Sequence, residues 1–185
     1  MEETPNQHVV FLVAIAVAAV GAVYDWRKGE IPQWLTLPTL GLAPIFHIVR
    51  SLVAQRTMED AVYEGAFSIG GAALCAVVPL LLFRQSAIGG GDVKLFVALG
   101  ALLEPVLGVE AQMYGFFAGA ILAPARLAYE GKLISTIKNS FAIGANLFLP
   151  KSRQRTVDAA ALSWFRLGPA IFIGVVLTAY LHWKN

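Results

Sequence analysis

Six stretches of this chain are apolar over nearly or fully the length that crosses a bilayer, which restricts the fold to a bundle of membrane helices. The hydrocarbon core takes about 20 mostly apolar residues per helix, with a range of about 17–25. The stretches are 9–24, 34–53, 61–83, 93–107, 111–128 and 167–183. The fourth is short and carries Glu104 near its end. Composition points the same way, with 57 % of residues hydrophobic and 14 % charged. Ordinary soluble domains have about 25 % charged residues, and so few charges would leave large apolar patches facing water. The expectation is an all-α integral membrane protein of about six transmembrane helices, forming a single domain over 1–185, with lipid as its solvent. A net charge of +2 carries no nucleic-acid signature here.

The position of the charges orients the bundle. Six spans place both termini on one side. With loops assigned alternately, one side receives 11 Lys and Arg residues and the other receives Arg50, Arg56 and Lys184. Positive charge marks the cytoplasmic side, so loops 24–33 and 84–94 and segment 129–166 are expected there, with both termini outside. The first stretch follows Glu2 and Glu3 rather than a basic region and has no clear cleavage site before Asp25, so it reads as a retained helix and not a signal peptide. Within 129–166, Leu133, Ile137 and Phe141 recur at helical spacing with Lys132 and Lys138 between them. That pattern predicts an amphipathic helix on the inner leaflet, between the fifth and sixth spans. Lys151, Arg153 and Arg155 read as an anionic-lipid contact. Gly115 and Gly119 predict close helix packing.

Two acids lie where burial would be expensive. Asp25 follows the first stretch and Asp92 precedes the fourth, so both fall at the cytoplasmic boundary at similar depth. Taken singly, Asp25 reads as an interfacial residue paired with Arg27 or Lys28, and Asp92 as a helix cap. Taken together they suit a different use. Two carboxylates in one low-dielectric site share a proton. The ionised member can then deprotonate water while the protonated member polarises a peptide carbonyl, as in aspartic proteases. Such chemistry needs no metal, thiol or cofactor. The lone Cys75 excludes a multi-cysteine metal site. Gly89, Gly90 and Gly91, just ahead of Asp92, allow a second backbone to come close. A Walker A reading fails because no Ser or Thr follows Lys94. Lys94 reads either as a positive charge near the acids or as a loop anchor to lipid phosphate.

The segments Asp25 to Ile31-Pro32 and Gly89-Gly90-Gly91-Asp92-Val93-Lys94-Leu95 resemble the active-site motifs of the type IV prepilin peptidases, the GxGD intramembrane aspartic proteases. Gly168-Pro169, near the start of the last span, also resembles that family. The resemblance implies Asp25 and Asp92 as catalytic residues, the Gly89–Gly91 loop with Lys94 as a substrate-side element, and no cofactor. It implies cleavage of the leader from prepilin-like precursors, after a glycine, at the cytoplasmic face of the inner membrane. Larger members carry a cysteine-rich methyltransferase extension, for which a chain with only Cys75 has no residues. The short, peptidase-only members that serve tight-adherence (Flp-type) pili are the nearest in pattern, and archaeal preflagellin peptidases are also short. Gln33 stands where the family often has Asn. Two readings from other classes are a proton-coupled carrier component, since intramembrane acids mark proton pathways, and a non-enzymatic scaffold of a pilus or secretion machine. His47, near the outer end of the second stretch, is expected to be a hydrogen-bonded histidine remote from the acids, and Cys75 a small packing residue.

Overall fold

The computed structural model describes residues 7–85, 87–129 and 166–183. Among them are five helices and no strand: α1 (Gln7–Lys28), α2 (Gln33–Val53), α3 (Met58–Arg84), α4 (Gly90–Tyr129) and α5 (Gly168–Leu181). The all-helical expectation holds. About six transmembrane helices are not confirmed: α1, α2 and α3 are long and apolar enough to cross a membrane, and α5 is a shorter apolar helix. The expected amphipathic helix and the Lys151, Arg153 and Arg155 cluster lie outside the described residues. One compact unit joins Met1–Gly119 with Arg166–Asn185, and Ala120–Phe165 form another. The last ten residues of α4 belong to the second.

The count differs because the fourth and fifth stretches form one helical element with a break at Glu104, where φ is 62° and ψ 176°. Pro105 disfavours helical geometry in the residue before it. A straight helix would hold residues 96 and 116 about 30 Å apart, yet the rings of Phe96 and Phe116 are 5.0 Å apart between centroids. A Cβ on Gly108 would lie 3.0 Å from Gly100 Cα. The two arms of α4 therefore fold back on each other around Glu104.

Such a break orphans carbonyls. Ala101 would normally serve the N–H of residue 105, and proline has none. Ser68 on α3 supplies the missing donor, its Oγ lying 2.7 Å from the Ala101 oxygen. His47 on α2 does the same for Leu102, with Nε2 at 2.9 Å from that oxygen. Two buried polar side chains in apolar helices are thus explained by one break, at Glu104 and Pro105.

Glycines set the spacing of the remaining helices. Gly71 on α3 lies against the Gly100 carbonyl, and Cys75 packs beside Gly100 and Gly108, the small packing role expected of it. Gly115 on α4 crosses Gly174 on α5. α2 packs along α3, and α1 along α5. Phe11, Leu95, Leu103, Ile171 and Val175 fill the interior, while Leu12, Leu42, Ile45, Ile69 and Leu81 face outward. An outward apolar face of this kind suits lipid. Trp26 and Trp34 are likewise exposed, as interfacial anchors are.

Candidate active site

The first predicted aspartate sits in the last turn of α1. Asp25 is 6 % exposed. The helix ends four residues later, where Gly29 takes φ 72° and its N–H donates to the Asp25 carbonyl at 2.8 Å. This left-handed glycine stop turns the chain back toward the bundle, burying Ile31. Pro32 then caps α2 in an extended conformation. The Asp25 to Pro32 spacing is therefore the length of one helix stop and one re-entry.

Asp92 lies in the first turn of α4, ahead of the apolar run that begins at Val93, and is 8 % exposed. Its Oδ2 accepts the Gly89 N–H at 3.1 Å. This is the backward half of a capping box, so Asp92 is the third residue of the helix and not its cap. Gly91 is needed for close approach: a Cβ there would lie 3.2 Å from Ile31 Cβ and 3.3 Å from the Ile31 nitrogen. Gly90 stands against the Phe83 ring. The triple-glycine loop thus brings the second motif directly onto the first.

The structure brings the two aspartates into electrostatic contact. Burial first, and then the negative charge of Asp25, push the Asp92 carboxyl up to about 7, against the Gly89 hydrogen bond, which lowers it. Lys94 is half-buried two residues beyond Asp92.

A contributor to which the sequence assigned no role is the start of α5. The Gly168 N–H donates to Asp25 Oδ2 at 2.8 Å, and Pro169 follows in the first turn, where a missing N–H costs nothing. A helix N-terminus favours a carboxylate. Gly168 has no room for a side chain, because a Cβ would lie 2.8 Å from Asp25 Cβ and 2.9 Å from its Oδ2. The Gly-Pro pair was visible as a motif; its partner was not, since it is 143 residues away.

A second polar group gathers around Glu104. His47 Nδ1 is 3.0 Å from Glu104 Oε1, and Arg50 lies 3.2 Å from Glu64 and 3.4 Å from Glu104. Arg56 pairs with the other oxygen of Glu64. These residues line a cavity of about 240 Å³. His47, Glu64 and Glu104 bring metal-capable atoms within 4.8 Å of one another, but the two guanidinium groups already balance the two carboxylates.

Comparison with known proteins agrees with the motifs. A prepilin peptidase, EppA, of Methanothermobacter thermautotrophicus is 33 % identical over 99 residues, which is 51 % of this chain and 24 % of that protein. The leader peptidase HopD of Salmonella typhimurium is 32 % identical over 79 residues, 43 % of this chain and 49 % of the relative. The matched segments thus span about a quarter and about half of these relatives' own lengths. No solved structure gives a significant match. The model of the type IV leader peptidase family matches residues 12–124, a stretch that contains both aspartate motifs and more than half of the chain. The chain belongs to the type IV leader peptidase family.

Proposed function

We propose that this protein is a membrane aspartic endopeptidase that removes the leader from type IV prepilin-like precursors. The observation that carries the proposal is the pairing of two buried aspartates from distant segments, with the charge of one felt by the other. Family membership and the names of the two relatives support the substrate class.

Asp25 and Asp92 share one proton, held on Asp92. Asp25, bonded to the Gly168 N–H, is the ionised partner and takes a proton from the attacking water. Asp92 gives its proton to the oxygen of the scissile carbonyl as that oxygen gains charge. Collapse of the tetrahedral intermediate then passes the proton from Asp25 to the leaving amine, and Asp92 recovers its own. The Gly89–Gly91 loop gives the substrate backbone access, and the mature part of the precursor lies in the bilayer beside the enzyme. The reading places the chain in the cytoplasmic (inner) membrane, with the dyad facing the cytoplasm and both termini outside.

The test is cleavage of a Flp-type prepilin by purified protein in detergent, followed by mass. Wild type, Asp25→Asn and Asp92→Asn run side by side. Cleavage after glycine, abolished by either substitution, is expected. Intact substrate with folded wild type, across several prepilins, rejects the peptidase and favours the scaffold or carrier. Cleavage that survives both substitutions rejects the dyad.

A further inference from the structure

We propose that His47 is a positioning residue for Asp92, acting from the opposite end of the same helical arm. The proposal rests on the dyad reading above for its functional meaning, and on separate geometry for its mechanism.

The first arm of α4 runs from Gly90 to the break at Glu104. Asp92 lies near one end and Leu102 near the other, about 15 Å apart at 1.5 Å per residue. Between them the arm buries Val93, Leu95, Phe96, Ala98 and Leu99. Apolar burial is non-directional, so these contacts hold the arm in the bundle but fix its position along its axis only weakly. Directional contacts sit at the ends. At the inner end, Gly91 lies against Ile31 with no slack. At the outer end, His47 on α2 holds the Leu102 carbonyl and Ser68 on α3 holds the Ala101 carbonyl.

The chemistry of that hold follows from the partners. The Leu102 carbonyl can only accept, so His47 Nε2 carries the proton in the 2.9 Å bond. On the other side of the ring, Nδ1 is 3.0 Å from Glu104 Oε1. His47 therefore bonds the last-turn carbonyl of the arm through Nε2, and its Nδ1 stands against the side chain of the break residue. The ring is fully buried. Arg50 holds Glu104 from the same helix, α2. The chain enters α2 through Ile31 and Pro32, the segment Gly91 touches. Each end of the arm thus has a contact to one stretch of chain, 31–50, beside the hold that Ser68 on α3 adds at the outer end, and a shift at Leu102 is carried along a stiff rod to Asp92.

The test reads the position of the inner end without using activity. A Cβ at Gly91 would be 3.2 Å from Ile31 Cβ, a few tenths of an ångström short of the roughly 3.5–4.5 Å that disulfides bridge. The full-length Ile31→Cys, Gly91→Cys variant, with each single substitution as control, is oxidised under mild conditions and the rate of cross-linking measured. It is then combined with His47→Leu, His47→Gln or Glu104→Gln. In an otherwise native chain, kcat and KM are measured for the same three substitutions. The expected result is at least tenfold slower cross-linking with His47→Leu, a matching fall in kcat with KM within threefold, and partial recovery of both with His47→Gln, which keeps a donor for Leu102. Glu104→Gln reads the contact at Nδ1 and serves if His47→Leu fails to fold. Unchanged cross-linking in folded His47→Leu, or in folded Glu104→Gln where the former does not fold, overturns the proposal. Slower cross-linking with unchanged kcat overturns it too, leaving His47 a helix cap only. If wild type cleaves no prepilin but the cross-linking slows as expected, the peptidase reading falls while the hold of His47 on the Asp92 arm stands.

Discussion

Gly168→Ala places a methyl group where the structure leaves no room for one, and its effect can be worked out in advance. The new Cβ would be 2.8 Å from Asp25 Cβ, 2.9 Å from Asp25 Oδ2 and 3.1 Å from Ala22 Cα. Asp25 Oδ2 can swing aside, but Asp25 Cβ and Ala22 Cα are fixed to the helix backbone, so α1 and the start of α5 must separate. The Gly168 N–H to Asp25 bond, 2.8 Å long, then stretches beyond useful range. A hydrogen bond to a charged group is worth about 1.5–3 kcal/mol. If Asp25 needs that bond to be ionised and aimed, kcat falls about 10- to 150-fold at about 1.4 kcal/mol per tenfold. KM should hold, because no substrate contact is removed. Gly41→Ala is the matched control, since a Cβ there meets nothing within 4 Å and alanine favours the helix. The assay is steady-state prepilin cleavage in detergent, with thermal unfolding of each variant in parallel. A folded Gly168→Ala protein that cleaves within twofold of wild type would refute the role given to the α5 N-terminus.

Three further outcomes are expected. Asp92 binds its proton up to a pH of about 7 against an ordinary 3.8, so between those values the folded state holds more protons than the unfolded one and stability falls as pH rises. Thermal scans from pH 4 to 7 should show that fall, Asp92→Asn should flatten it, and cleavage should decline above about pH 7 as the shared proton is lost. Ser68→Ala strands the buried Ala101 carbonyl, at a cost of about 1–3 kcal/mol, read as a lower unfolding temperature with the dyad chemistry intact. Gly71→Ala forces a Cβ into the Gly100 carbonyl and the Glu104 backbone, and should abolish a monodisperse folded preparation.

Local signals were legible in the sequence. The apolar runs gave the helices, and the two aspartates were recognisable from the residues beside them, since a glycine stop, Ile-Pro and a triple glycine act over one or two turns. What the residues could not show were features fixed by partners far along the chain. Glu104 adopts a left-handed φ that glycine normally supplies, and it is held there by His47 and Arg50 across more than 50 residues. The fourth stretch therefore read as running on to 107, when the element folds back at Glu104 and Pro105. The start of α3 was placed three residues late because the Thr57 to Asp60 capping box lies in a polar stretch outside the apolar count. His47 was expected to be hydrogen-bonded, and it is; that its acceptor is a carbonyl beside the break at Glu104, 55 residues away, follows only from the fold.

The bond between Gly168 and Asp25 also bears on how the molecule comes into being. Synthesis and membrane insertion proceed from the N-terminus. Asp25 leaves the ribosome early, Asp92 follows, and the N–H that orients Asp25 arrives last, with α5. A nascent chain stalled anywhere before α5 holds both acids without the group that aims one of them. The surroundings of Asp25 are therefore assembled only once α5 has joined α1.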